Sequence, residues 1–291
     1  MMRSRILWSV WALMPVGVMA FHFGPGQQAW VKDQASRSLE QARSQQLKAQ
    51  AAQDAAFVAH LEGLKARRAA HSDDGLVVPE LAAKAKAATE AETAAYAAAA
   101  AQWDSVATSV SAAIDVLQAT SPESVDSLRW ARGRALIRAG KVGSGIDELE
   151  ELVDRFDAAG TGGTTLARDA REDLATGYYY KARLMRLGGA KSEDWREVSS
   201  KSRQQFRYLA ESAQQGGEDA AVVSSYQNNV ELVLNMEQSS INDLQAKPRP
   251  KNAPEGNKDG NRPGKGKTKR PPRRKDDRDG AGGAGDLGPG W

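Results

Sequence analysis

The stretch GRALIRAGKVGSGIDEL, residues 133–149, places Gly133, Gly140, Gly143 and Gly145 where the apolar spacing otherwise asks for helix. A glycine inside a helix costs about 0.8–1.0 kcal/mol relative to alanine, so something must offset four of them. Two helices packed very close across a short turn would do so. On that reading Gly133 and Gly145 lie at the contact and let the helices approach, while Gly140 and Gly143 belong to the turn.

Working outward, the same theme recurs. Residues 97–117 and 188–206 share a Trp-centred core, with Trp103 and Val106 corresponding to Trp195 and Val198, and Val142 followed by Gly145 lies between them. Self-similarity of this kind marks stacked helical units. Ser121-Pro122-Glu123 supplies an N-cap residue, a first-turn proline and an acid. Glu218 and Asp219 open a last helix whose stripe of Val222, Tyr226, Val230, Val233 and Ile241 suits an end seal.

These residues resemble the tetratricopeptide (TPR) repeat, a helix–turn–helix unit of about 34 residues. The best copy carries Gly133, Leu136, Gly140, Val142 and Gly145, then Leu149 and Leu152 on the second helix. Poorer copies run over 87–121 (Ala94, Ala97, Trp103, Val106, Val110, Ala113) and 170–212 (Gly177, Tyr180, Gly188, Trp195), the latter losing register at Ser202 and Gln205. The resemblance implies an all-α fold of TPR-like antiparallel helix pairs, a short right-handed solenoid, over residues 80–246, with Trp103 and Trp195 beside the turns. An unrelated up-and-down bundle is the alternative. The resemblance also implies a partner-binding groove built from Trp130, Arg134 and Arg138 on one first helix and Arg171, Tyr178 and Lys181 on the next, with Ile137 and Leu174 beside them.

Before this domain, residues 27–79 read as a helical stalk and linker. Leu39, Leu47, Phe57, Val58, Leu61 and Leu64 form a thin apolar stripe that fits a stalk or a loosely packed helix pair, and HSDDGLVVPE at 71–80 breaks it. Residues 1–26 begin with Arg3 and Arg5 and then run apolar through Phe23, near the lower limit for a single transmembrane helix. Trp8 and Trp11 suit an interface, while Val18-Met19-Ala20 suits signal cleavage near Ala20 instead. Either way the body is expected on the periplasmic, extracytoplasmic side of an inner membrane.

Residues 247–291 hold 13 of the 40 Lys/Arg and only 6 of the 37 Asp/Glu, so the net charge of +3 hides a mildly acidic body and a basic tail. With 7 of 11 prolines and 10 of 27 glycines, the tail lacks the apolar surface to order itself. Lys265, Lys267, Lys269, Arg270, Arg273, Arg274 and Lys275 form a cluster suited to anionic lipid or an acidic envelope polymer. Nucleic acid would be the partner only if the N-terminus did not export the chain.

Chemistry is harder to find. An aromatic content of 6% and abundant alanine suit thin helical layers, and the absence of cysteine removes disulfides and thiolate metal sites. His22, His60 and His71 have no mutual metal-ligand spacing and read as solvated or interfacial. GTGGTT at 160–165 lacks the Lys-Ser/Thr ending of a phosphate loop and reads as a turn. Gly143-Ser144-Gly145 is no nucleophile elbow, Glu211-Ser212 lacks the flanking residues of a lytic transglycosylase, and Glu150-Glu151 and Asp276-Asp277 read as solvated charge. The expectation is a non-enzymatic scaffold or adaptor, without metal or cofactor, anchored in a bacterial envelope and binding proteins. The layout also resembles the helical-repeat membrane components encoded beside MoxR-type ATPases and von Willebrand A proteins.

Overall fold

The structure is a computed structural model that describes Pro15, Met19, Phe21 and residues 25–70, 78–119 and 121–246. Eight helices are described: α1 (Pro25–Ala69), α2 (Pro79–Leu117), α3 (Pro122–Arg138), α4 (Val142–Ala158), α5 (Thr165–Leu187), α6 (Ser192–Gln215), α7 (Ala220–Gln238) and α8 (Ile241–Ala246). No strand occurs among the described residues, and the fold is all-helical. The anchor expected at 1–26 and the basic tail at 247–291 lie outside the described residues, apart from isolated positions of the former. Among the described residues no helix is long and apolar enough to cross a membrane.

α1 and α2 form a long antiparallel hairpin, so the boundary expected at 79/80 falls between two helices packed along their length. The seam of α1 is built from small residues at every seventh position. Ala35, Ala42, Ala49 and Ala56 are 0–6% exposed, and Gly63 continues the row. α2 supplies the bulk, with Tyr96, Trp103, Val110 and Leu117 in one seven-residue row and Ala99, Val106 and Ala113 in the other. This is the seven-residue period of a coiled coil, with methyl groups on one side and large side chains on the other. Most of the larger apolar groups of α1 lie off the seam: Leu47 is 72% exposed, Val58 55% and Leu61 41%, although Leu64 is buried.

Towards the hairpin tip the seam turns polar. The Nδ1 atom of buried His60 lies 2.7 Å from Glu92 Oε1, and Arg67 donates to Glu92 Oε2 at 2.9 Å and to Thr89 Oγ1 at 3.2 Å. His60 is therefore a buried, partnered histidine rather than a solvated one, because the seven-residue row places it inside the pair. A buried polar layer fixes register at some cost in stability.

The glycines of 133–149 split between contact and turn. α3 and α4 pack antiparallel, and a Cβ added at Gly145 would come within 2.6 Å of both the Gly133 carbonyl oxygen and Ile137 Cγ1. A Cβ at Gly133 would come within 2.9 Å of Leu149 Cγ. Gly140 has φ +84°, the left-handed conformation that side chains avoid. Its N–H bonds the Ile137 carbonyl and the next N–H bonds that of Leu136, the pattern of a Schellman cap. Gly143 differs from expectation: it lies in the first turn of α4, where an added Cβ would meet nothing within 4 Å.

The same cap closes α4, α5 and α6 at Gly160, Gly189 and Gly217, each with positive φ. Four helices stopped alike give a regular zigzag. Contacts from Trp130 to Asp173 and from Gly177 to Ile137 show α3 and α5 side by side and parallel. Those from Glu172 to Tyr226 and from Arg186 to the Met236 and Ser239 carbonyls do the same for α5 and α7. Asp219 caps α7 by accepting from Ala221 N at 2.9 Å, whereas Ser121 begins α3 without a side-chain cap bond. Residues 160–164 are the turn between α4 and α5, as expected.

Two further sequence expectations need correction. Trp103 stands in the middle of the unbroken α2, not beside a turn, because the 87–121 stretch belongs to the long hairpin; Trp195 does follow a turn, in the first turn of α6. Ile241 is not part of the α7 stripe: α7 stops at Gln238, and Ile241 opens α8 and is 47% exposed.

The glycine contact makes a paired prediction for urea unfolding. Gly145→Ala should cost about 1–3 kcal/mol, because overpacking outweighs the gain in helix propensity. Gly143→Ala, in open space, should be neutral or add up to about 1 kcal/mol. Equal effects at the two positions would refute the close approach.

Candidate functional site

On α3, Trp130, Arg134 and Arg138 follow at four-residue intervals and so share one face. Trp130 Nε1 donates to Asp173 Oδ2 on α5 at 2.7 Å, fixing the indole. The Arg134 guanidinium carbon sits 5.3 Å from the Trp130 ring centre, and that of Arg138 sits 4.6 Å from the ring centre of Trp103 on α2. Cation–π stacking of this kind contributes about 0.5–2 kcal/mol, more when desolvated. Burial lowers the Arg138 pKa to about 10, with neighbouring Arg134 adding to the fall and Asp173 opposing it.

This face borders a cleft of about 400 Å³ between α1 and α3. Trp103, Val106 and Val110 of α2 make its floor. Leu39, Ala42, Arg43 and Gln46 of α1 line one wall, and Leu128, Trp130, Ala131, Arg134 and Ala135 of α3 the other. The lining is mostly apolar and contains no carboxylate. Trp103 is 2% exposed, and its indole N–H meets no acceptor among the described residues. An unsatisfied buried donor costs about 1–3 kcal/mol.

The six residues expected to form one groove are not brought together. Trp130 and Arg134 line the cleft, and Arg138 backs it from within the core. Arg171 is buried on the other side of α5, bound to both carboxylate oxygens of Asp157 at 2.6 and 2.8 Å and to Gln205 at 2.9 Å. The Tyr178 hydroxyl donates to Glu150, so Glu150 is partnered rather than merely solvated. Lys181 is half-exposed on α5, and Ile137 and Leu174 are core residues. The reason is the position of α5: every residue over 170–180 is buried, because α3, α4, α6 and α7 all pack on it. No open face is left there for a groove. The tail cluster of Lys265, Lys267, Lys269, Arg270, Arg273, Arg274 and Lys275 lies outside the described residues.

Sequence reasoning missed the α1 wall. The stalk reading of 27–79 leaves Leu39, Arg43 and Gln46 without a role, although the alanine period of α1 is present in the sequence and marks which side of that helix faces α2.

Beside the cleft, α5 buries acids. Burial raises Asp173 to about 6 against the pull of Arg134, Arg138 and the Trp130 hydrogen bond. Burial likewise raises Glu172 to about 7, opposed by the hydrogen bond from the Tyr226 hydroxyl at 3.1 Å and reinforced by Asp173 and Asp169. Because the folded pKa values lie above the unfolded ones, this contribution to stability is complete below about pH 4 and is lost as pH rises through about 6 to 7. Thermal unfolding should therefore show a fall in midpoint between about pH 4 and pH 7. Glu172→Gln should flatten that fall by raising the midpoint at the alkaline end, an effect of up to about 3 kcal/mol. An unchanged slope would show that Glu172 ionises freely in the fold.

Among the described residues no group of three or more His, Cys, Asp or Glu side chains is placed to hold a metal ion. Comparison with known protein families, curated proteins and solved structures finds no match to this chain.

Proposed function

We propose that the protein is a non-enzymatic, membrane-anchored scaffold or adaptor of a bacterial cell envelope, with a TPR-like helical body that holds a protein partner. The observation that carries this reading is the regular zigzag of antiparallel pairs: α3, α5 and α7 run parallel, and the four turns that lead from α3 through to α7 all carry a left-handed glycine. The close Gly133–Gly145 contact, where the repeat pattern asks for small residues, supports the resemblance. Such stacks present extended surfaces rather than reactive pockets.

Support for the anchor comes from the start of the chain. Met19 and Phe21 of the N-terminal apolar run and Trp30 on α1 are 62–64% exposed. Exposed aromatics beside an apolar segment suit a membrane interface. With the N-terminus held there, the α1–α2 hairpin would reach out from the membrane, since α1 alone is 45 residues long.

A photo-crosslinking amino acid at Arg43, on the cleft, and another at Glu151, 72% exposed on α4, would test both parts in the native host. The full-length chain should pellet with membranes and resist carbonate extraction. A crosslink to one protein of defined mass should form from Arg43 and not from Glu151. A carbonate-soluble chain would overturn the anchor, and the absence of any discrete crosslink from Arg43 would overturn the scaffold.

A further inference from the structure

The cleft between α1 and α3 has a chemistry that a flat docking surface does not need. Its volume of about 400 Å³ lies in the range of small-molecule pockets. Its floor and most of both walls are apolar, with Trp103 and Trp130 the largest surfaces. The polar groups that remain are almost all donors. Arg43 is exposed at the α1 wall and makes no ion pair among the described residues. Arg134 stacks on Trp130 and offsets the charge of Asp173, so it is already engaged. The Trp103 indole N–H also lacks an acceptor among the described residues, but it is itself fully buried and offers nothing to an occupant of the cleft.

Each feature excludes a class of ligand. The absence of Asp and Glu from the lining disfavours amines and other cations. A purely apolar occupant would leave the Arg43 guanidinium without an anion, whereas a carboxylate would pair with it by charge-assisted hydrogen bonds. A highly charged phosphate ester would have to desolvate its charge against mostly apolar walls. We propose that this cleft binds a monocarboxylate with an apolar, medium-length chain, the carboxylate at Arg43 and the chain over Trp103, Val106 and Leu128. The proposal goes beyond the scaffold reading and stands without it.

Decanoate, decanol and decylammonium, each below its micelle concentration, provide matched probes for titration calorimetry on the full chain. Decanoate should bind saturably at one site per chain, and decylammonium should not bind. Arg43→Gln, at an exposed position that leaves the core intact, should weaken decanoate about tenfold, an effect of about 1.4 kcal/mol. Ala131→Phe, which fills the cleft, should abolish binding while the far-ultraviolet circular dichroism stays helical. Equal binding of the three probes would reduce the effect to apolar adsorption and overturn the proposal. Decanoate binding that survives both substitutions would place it elsewhere, on the basic tail above all, and would overturn it too.

Discussion

The close approach of helices across small residues is the constraint on which this structure rests. It occurs twice, in different forms. In the α1–α2 hairpin, Ala35, Ala42, Ala49 and Ala56 present methyl groups to the large side chains of α2. In the α3–α4 pair, Gly133 and Gly145 remove even the methyl, and Gly177 lets α5 settle on Ile137 and Ile146. Each contact gives up side-chain area, and with it about 25 cal/mol per Å² of apolar burial. What it gains is backbone proximity and dense packing, from which dispersion contacts accumulate. A chain rich in alanine and poor in aromatics has few other ways to build a core.

That constraint also decides where polar groups end up. Thin layers bring every helix near its neighbours, and α5, flanked on all sides, encloses Arg171, Glu172, Asp173 and Arg183 at 4–7% exposure. Most of these charges are answered: Arg171 by Asp157, Asp173 by Trp130 with Arg134 and Arg138 nearby, and Arg183 by the Leu244 carbonyl. Glu172 is answered at one oxygen only, and burial raises its pKa to about 7. Arg138, Arg171 and Tyr178, which the repeat pattern assigns to a recognition groove, are thereby used as internal braces. An open cleft remains where first helices part, between α1 and α3.

How far the sequence reveals this depends on the size of the signal. The α3–α4 pair is legible because glycine is costly in a helix and its placement demands a reason; Gly133, Gly145 and the Gly140 turn all follow. The all-helical class is legible from composition and caps. The α1–α2 seam is hidden because alanine contributes little hydrophobic contrast, while Leu47, Val58 and Leu61 draw attention to the wrong side of α1. Trp103 misleads in another way: a tryptophan followed three residues later by valine fits a repeat turn and a coiled-coil core equally well. The cleft could not be read at all without the hairpin, since one of its walls is α1. Burial of Arg171 and Tyr178 follows from how many helices surround α5, which is a property of the stack and not of any local pattern.

The central claim is that α1 packs through its alanines, and a single substitution tests it. In an ordinary coiled coil leucine at a seam position is welcome, and Ala49→Leu would raise the thermal midpoint. Here Ala49 is 0% exposed against the α2 layer that holds Trp103, with no room for an isobutyl group. Thermal unfolding of Ala49→Leu, compared with Gln50→Leu on the exposed side of the same helix, measures the difference directly. The account predicts a markedly lower midpoint for Ala49→Leu and little change for Gln50→Leu; an unchanged or higher midpoint for Ala49→Leu would contradict it.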